Sequence, residues 1–262
     1  MEWKTIRYER DGSVVRLTLN RPEAYNALSS QMIEDLFAVI SEIEAETDVR
    51  AVLLTGAGRA FCAGGDVREF HEHIATVPKL LKRMTTPLHA AISRMMRMEK
   101  PVVAAVNGVA AGAGMALVMA ADLAVAAASA RFTMAYTGIG ATPDGSSTFF
   151  LPRLVGLRRA MELVLENRTL SAEEALAWGL LNRVVPDAEV VAEAEALARR
   201  LAAGPTRAFG GAKRLLHLSF QNSPETHMEE ETQSIAAMGA TADFREGVAA
   251  FVAKRPAAFE GR

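Results

Sequence analysis

The sequence predicts an α/β fold, and three observations carry that reading. Short apolar runs rich in β-branched residues alternate with longer stretches of helical periodicity as far as Val185. From there to Phe251 only helical patterns follow. Half of the 262 residues are hydrophobic, enough for one large core with a helical appendage. The change of pattern divides the chain into a core over residues 1–200 and a helical region over residues 201–262.

The elements follow in order. Val15, Leu17 and Leu19 alternate with Arg16 and Thr18, which predicts a half-buried strand. Asn20-Arg21-Pro22-Glu23 turns the chain. Met32, Ile33, Leu36, Phe37, Ile40 and Ile43 recur at helical spacing, so residues 30–46 form an amphipathic helix. Residues 51–55 are a short apolar run, a buried strand ended by Gly56-Ala57-Gly58. Residues 80–98 carry Leu88, Ile92, Met95 and Met96 at helical spacing, with His89 beside that stripe. A lone histidine there is more often structural than catalytic. Residues 100–108 read as a strand entered at Pro101, where a missing N–H matters least, and stopped by Asn107-Gly108. Residues 123–127 are another buried strand. Ser171-Ala172-Glu173-Glu174 is a capping box for a helix that stops near Gly179. Val184-Val185-Pro186 ends a strand, and Asp187 is placed to cap a helix running to Ala203.

Two small-residue loops stand out. Ala60-Phe61-Cys62-Ala63-Gly64-Gly65-Asp66 follows one strand, and Val109-Ala110-Ala111-Gly112-Ala113-Gly114 follows another and opens into an apolar helix. Unpaired N–H groups at a helix start carry partial positive charge and can hold an anion or a developing oxyanion. Small residues also serve close packing, and one such loop alone favours that plainer role. A dinucleotide-binding fingerprint fits less well, because Leu117 occupies the place of the third glycine. Asp144, before Gly145-Ser146-Ser147, is by pattern a helix cap; its alternative is a carboxylate base beside an apolar wall of Tyr136, Phe149 and Phe150.

Composition excludes several classes. A net charge of −2 gives no electrostatic case for nucleic acid. Cys62 is the sole cysteine, so an internal disulfide and a cysteine-based zinc site are ruled out. His71 and His73 are two apart and cannot share a helix face, so no metal site is read there. The apolar tract of residues 115–128 is interrupted by Asp122 and too short to span a bilayer. Residues 1–10 are charged, unlike a signal peptide, so the expectation is a cytoplasmic protein with no membrane partner.

Taken together, these stretches resemble the crotonase superfamily, the enoyl-CoA hydratase/isomerase family, over nearly the whole chain. The resemblance is carried by residues 20–28, the loop 60–66, the segment 100–122, residues 171–186 and residues 246–255, in that order and spacing. It implies a spiral of ββα units followed by a helical trimerisation region, and an acyl-CoA thioester substrate with no separate cofactor. It implies an oxyanion hole made by the N–H groups of Gly65 and Ala113, and a homotrimer or a dimer of trimers. Ala24, Ala63 and Asp66 fall where the family lines its CoA site; Phe251 and Lys254 match residues that reach CoA, commonly from a neighbouring subunit. The two glutamates that hydratases of the family use are here Ala116 and Tyr136. Asp144 falls instead where isomerases of the family place an acidic base, which makes an enoyl-CoA isomerase the expectation. Residues 138–186 are also similar to the aryl-CoA dehalogenases of the superfamily, where the residue matching Asp144 is a nucleophile, His89 matches a catalytic histidine and Tyr136 stands in place of a tryptophan. A non-catalytic acyl-CoA-binding oligomer is the remaining alternative.

Overall fold

The computed structural model describes residues 3–262. The chain opens with an antiparallel hairpin of β1 (Ile6–Asp11) and β2 (Val14–Leu19). Pattern alone does not reveal β1, because Ile6 is its only buried side chain and no apolar period marks it. Helix α1 (Ser30–Ala45) follows, with the Ser29 side chain accepting from the Met32 N–H at its start.

Three ββα units come next. The first is β3 (Ala51–Gly56) and β4 (Ala60–Cys62) with α2 (Val67–Glu72) and α3 (Val77–Arg97). The second is β5 (Val102–Val106), β6 (Val109–Ala111) and α4 (Ala113–Ala120). The third is β7 (Leu123–Ala127), β8 (Arg131–Thr133), α5 (Ser147–Val155) and α6 (Leu157–Glu166). Then follow β9 (Leu170–Ser171), α7 (Ala172–Ala177), which keeps its capping box, and β10 (Arg183–Val185).

The first strand of each unit enters a six-stranded sheet of order β1-β2-β3-β5-β7-β10. The second enters a four-stranded sheet of order β4-β6-β8-β9. Apart from the antiparallel pairs β1–β2 and β8–β9, every pairing is parallel. Each unit therefore repeats the previous one a strand further along both sheets, although the sequence shows no repeat. β3 and β5 are buried at every position, and α8 (Val190–Ala202) packs across β3, β5 and β7. The second sheet is nearly invisible to pattern reading, since strands of two or three residues are too short to display a period of two.

One predicted cap is corrected. Asp187 begins a 3-10 turn ahead of α8, and its Oδ1 accepts the Ser129 N–H at 3.0 Å, tying β7's exit to the turn instead of capping the helix.

The remaining helices are α9 (Thr206–Leu218), α10 (Pro224–Gly239) and α11 (Ala242–Val252). Lys213 anchors α9 to the core: its Nζ sits 2.7 Å from the Asp122 carboxylate and donates to the carbonyls of Met95 and Lys100. Desolvation pushes the Asp122 carboxyl above its ordinary range, and Lys213 and the Val102 N–H oppose that rise. The outward faces of these helices expose Leu216, Ile235, Phe251 and Val252, and the turn between α9 and α10 exposes Phe220.

Candidate active site

The two small-residue loops meet. A Cβ on Gly64 would lie 2.9 Å from the Ala111 oxygen and 3.5 Å from the Ala113 nitrogen, and Gly64 holds φ at 96°. A Cβ on Gly114 would sit 2.2 Å from the Cys62 oxygen, so only glycine lets the start of α4 press against β4. The segment over residues 20–28 forms the floor. Asn26 is fully buried, with its Nδ2 donating to the Ala57 and Ala60 carbonyls and its Oδ1 accepting the Arg21 N–H. The Leu28 N–H then donates to the Gly64 oxygen at 2.7 Å, and the Asp66 N–H returns to the Leu28 oxygen. This leaves the N–H groups of Gly65 and Ala113 with no acceptor among the described residues. Both residues line one cavity of about 570 Å³. Two free N–H groups facing one cavity, one of them in the first turn of α4, are suited to a carbonyl oxygen that gains negative charge.

Asp144 lines the same cavity and is the only charged residue that does so among the described residues. The cap expected of it is not seen. Ser146, at φ 64°, precedes α5, and the Asp144 backbone oxygen accepts from the Ser147 N–H and hydroxyl while the carboxylate points elsewhere. Its Oδ1 accepts the Tyr136 hydroxyl at 2.7 Å. Ala135, in the left-handed region at φ 55°, turns the chain after β8 and brings Tyr136 to this position. Burial, and then the charge of Asp144, push the Tyr136 phenol well above its ordinary range, so it is a donor and not a base. His89 comes from α3. Its Nε2 accepts the Gly145 N–H at 3.2 Å and lies 3.7 Å from Asp144 Oδ2. Nε2 is thus turned to the Gly145 N–H and is not placed as a donor to Asp144. His89 is close to the carboxylate without lining the cavity.

Most of the rest of the wall is apolar, with Phe70 of α2, Leu81, Met84 and Leu88 of α3, and Ile139 of the loop after Tyr136; Thr85 and Thr142 add two hydroxyls. The α3 contribution lay in a stretch whose pattern is weak, but Leu81, Leu88 and the intervening Met84 fall three or four apart, the spacing that puts them on one face. Phe149 and Phe150 are not wall residues. They pack edge to face, 5.3 Å apart, and Phe149 lies under Arg153.

The predicted CoA-site residues have different fates. Ala63 lines the cavity. Ala24 ends a 3-10 turn and does not line it. The Asp66 carboxylate already has partners: it caps α2 through the Arg68 and Glu69 N–H groups and pairs with Arg21 at 2.9 Å, so its side chain has a structural role. Phe251 is 85% exposed on α11, and neither it nor Lys254 reaches the cavity of its own chain. Ala116 is fully buried, 3.0 Å from where a Gly145 Cβ would sit. Among the described residues there is no cluster of three or more metal-ligating side chains, and no helix is long and apolar enough to cross a membrane.

Comparison with known proteins gives the family. Residues 9–262 match the family model described as enoyl-CoA hydratase/isomerase. The chain is 41% identical over 253 residues to the 1,2-epoxyphenylacetyl-CoA isomerase of Escherichia coli K12, covering 95% of each chain. It is 37% identical over 250 residues to 4-chlorobenzoyl coenzyme A dehalogenase-2 of an Arthrobacter species, covering 95% of this chain and 91% of that one. The solved structure of a putative enoyl-CoA hydratase from Streptomyces coelicolor A3(2) superposes with a TM-score of 0.94 at 35% identity, covering 100% of this chain and 96% of that one.

Proposed function

The chain belongs to the enoyl-CoA hydratase/isomerase family, and from that premise we propose that it is a cofactor-independent enoyl-CoA isomerase with Asp144 as its acid/base. The carboxylate removes a proton from the carbon beside the thioester carbonyl. The electron pair passes to the carbonyl oxygen, which lies between the N–H groups of Gly65 and Ala113 as an enolate. The enolate collapses with its double bond shifted, and Asp144 returns the proton two carbons further along. One carboxylate suffices for both transfers, and no water enters the product.

The observation that carries this reading is the cavity wall. Among the described residues Asp144 is its single charged group, within an otherwise largely apolar lining and beside two main-chain donors with no acceptor. Hydration by a pair of glutamates has no counterpart, since Ala116 and Tyr136 stand at the matching positions and neither is a carboxylate base. The dehalogenase alternative draws support from the 3.7 Å approach of His89 to Asp144. It needs His89 to activate water, yet the Nε2 lone pair is held by the Gly145 N–H.

Incubating a panel of enoyl- and aryl-CoA thioesters in heavy-oxygen water tests the reading. A new chromatographic peak of unchanged mass supports isomerisation. Loss of halogen with heavy oxygen incorporated favours the dehalogenase, addition of water favours a hydratase, and binding without turnover favours the non-catalytic alternative. In the same assay His89→Gln is expected to lower isomerisation far less than the ~10²–10⁴-fold that follows loss of a proton-transferring group. A loss of that full size would move the assignment to an Asp144–His89 pair.

The proposal extends to assembly. Residues 201–262 form the trimerisation region of a homotrimer or a dimer of trimers, in which Phe251 and Lys254 reach the CoA of a neighbouring subunit. The support is the row of exposed large apolar side chains on α9, α10 and α11. Light scattering after size exclusion should give three or six times 28.1 kDa. A monomeric mass would sink this part.

A further inference from the structure

Resting on the assignment of Asp144 as the proton carrier, we propose that Tyr136 is a positioning residue that makes the two oxygens of that carboxylate unequal, holding Oδ1 and leaving Oδ2 as the one atom that takes and returns the proton. The Tyr136 hydroxyl donates to Oδ1 at 2.7 Å. Oδ2 has no donor among the described residues: its close nitrogen, His89 Nε2, is 3.7 Å away and is itself an acceptor for the Gly145 N–H. The other elements packed here bring no further charge. α4 presents Ala116 beneath Gly145, α5 presents the Ser147 hydroxyl, which turns to the Asp144 backbone oxygen, and no lysine or arginine lines the cavity.

The arrangement sets the strength of the base as well as its direction. A hydrogen bond to a carboxylate stabilises the ionised form relative to the acid, so the Tyr136 hydroxyl on Oδ1 acts on the strength of Asp144 as a base. The bond also makes the protonated carboxyl a readier donor, which serves the return step. The phenol keeps its own proton throughout, because its burial and the adjacent carboxylate both oppose ionisation. The ring itself packs against the hydrophobic core.

Tyr136→Phe removes the hydroxyl and keeps the ring. The sign is fixed: losing a donor to the charged form raises the Asp144 pKa, so the acidic limb of the pH profile moves to higher pH. The expected shift of the limb in kcat/KM is about one pH unit, with KM nearly unchanged at the alkaline plateau. Site-specific fluorotyrosine at position 136, a stronger donor of nearly the same shape, should move the limb the opposite way. A purely structural Tyr136 would move neither. A carbon-13 titration of the Asp144 carboxyl, assigned with Asp144→Asn, makes the same comparison without using activity. An upward shift in Tyr136→Phe supports the proposal, and an unchanged carboxyl titration overturns it. Should the unaltered protein isomerise no enoyl-CoA, the isomerase reading fails, and the carboxyl titration still decides the role of Tyr136.

Discussion

Asp144→Asn is expected to lose ~10²–10⁴-fold or more in kcat, the range for a positioned acid/base group, while binding of an unreactive CoA thioester stays within about a factor of three of the unaltered protein. The asymmetry follows from the site. Asparagine keeps the size of the side chain and an oxygen for the Tyr136 hydroxyl, so the wall of the cavity is preserved. What disappears is the only carboxylate in that wall among the described residues. With no glutamate at position 116 or 136, and with His89 engaged by Gly145, no neighbouring group can take over both halves of the proton transfer. Turnover by stopped assay and binding by calorimetry separate the two effects. Turnover within tenfold of the unaltered protein would remove Asp144 from the mechanism, and loss of binding together with turnover would mean that the substitution had disturbed the cavity.

The second large effect is expected at a main-chain atom. Ala113→Pro deletes one N–H without deleting a side chain beyond a methyl group. Ala113 is the first residue of α4, where proline is tolerated because the N–H there has no helical partner. The preceding residue is Gly112 at φ 51° and ψ −123°, a conformation glycine adopts readily, so the restriction proline places on its predecessor is met by the residue best able to bear it. Removing one oxyanion donor typically costs ~2.7–4 kcal/mol of transition-state stabilisation, a loss of ~10²–10³-fold in kcat. Ala113→Ser, which keeps the N–H, should retain most of the rate. A proline variant that melts like the unaltered protein and turns over normally would exclude the Ala113 N–H from the oxyanion hole. Equal losses in proline and serine variants would point to packing against β4 instead.

Much of the site is legible in residues 60–66 and 109–114, because loops of glycine and alanine after buried strands have few purposes, and two in one chain suggest convergence. That they converge is a tertiary fact. It depends on Gly64 and Gly114 allowing contacts with Ala111 and Cys62 that any Cβ would block, and on Asn26 fastening the floor beneath them. Asp144 shows the limit of local reasoning. Its neighbours Gly145, Ser146 and Ser147 look like a helix start, and only the folded chain shows Ser146 before α5 and the carboxylate turned toward Tyr136. Asp66 shows the reverse case: a position matched to the CoA site has a carboxylate engaged by Arg21 and α2.

By itself the sequence determined the α/β class, the long helices α1 and α3, the central strands β2, β3, β5 and β7, the helical end of the chain and the family. The structural features rest on periodicity and composition, which survive without knowledge of contacts, and the family rests on the resemblance of residues 20–28, 60–66, 100–122, 171–186 and 246–255. The tertiary structure alone decided the second sheet, the joining of the two oxyanion loops, the pairing of Tyr136 with Asp144 and the withdrawal of His89 toward Gly145. Each of these joins residues through single close contacts between distant parts of the chain or through strands of two or three residues, and neither leaves a period to read.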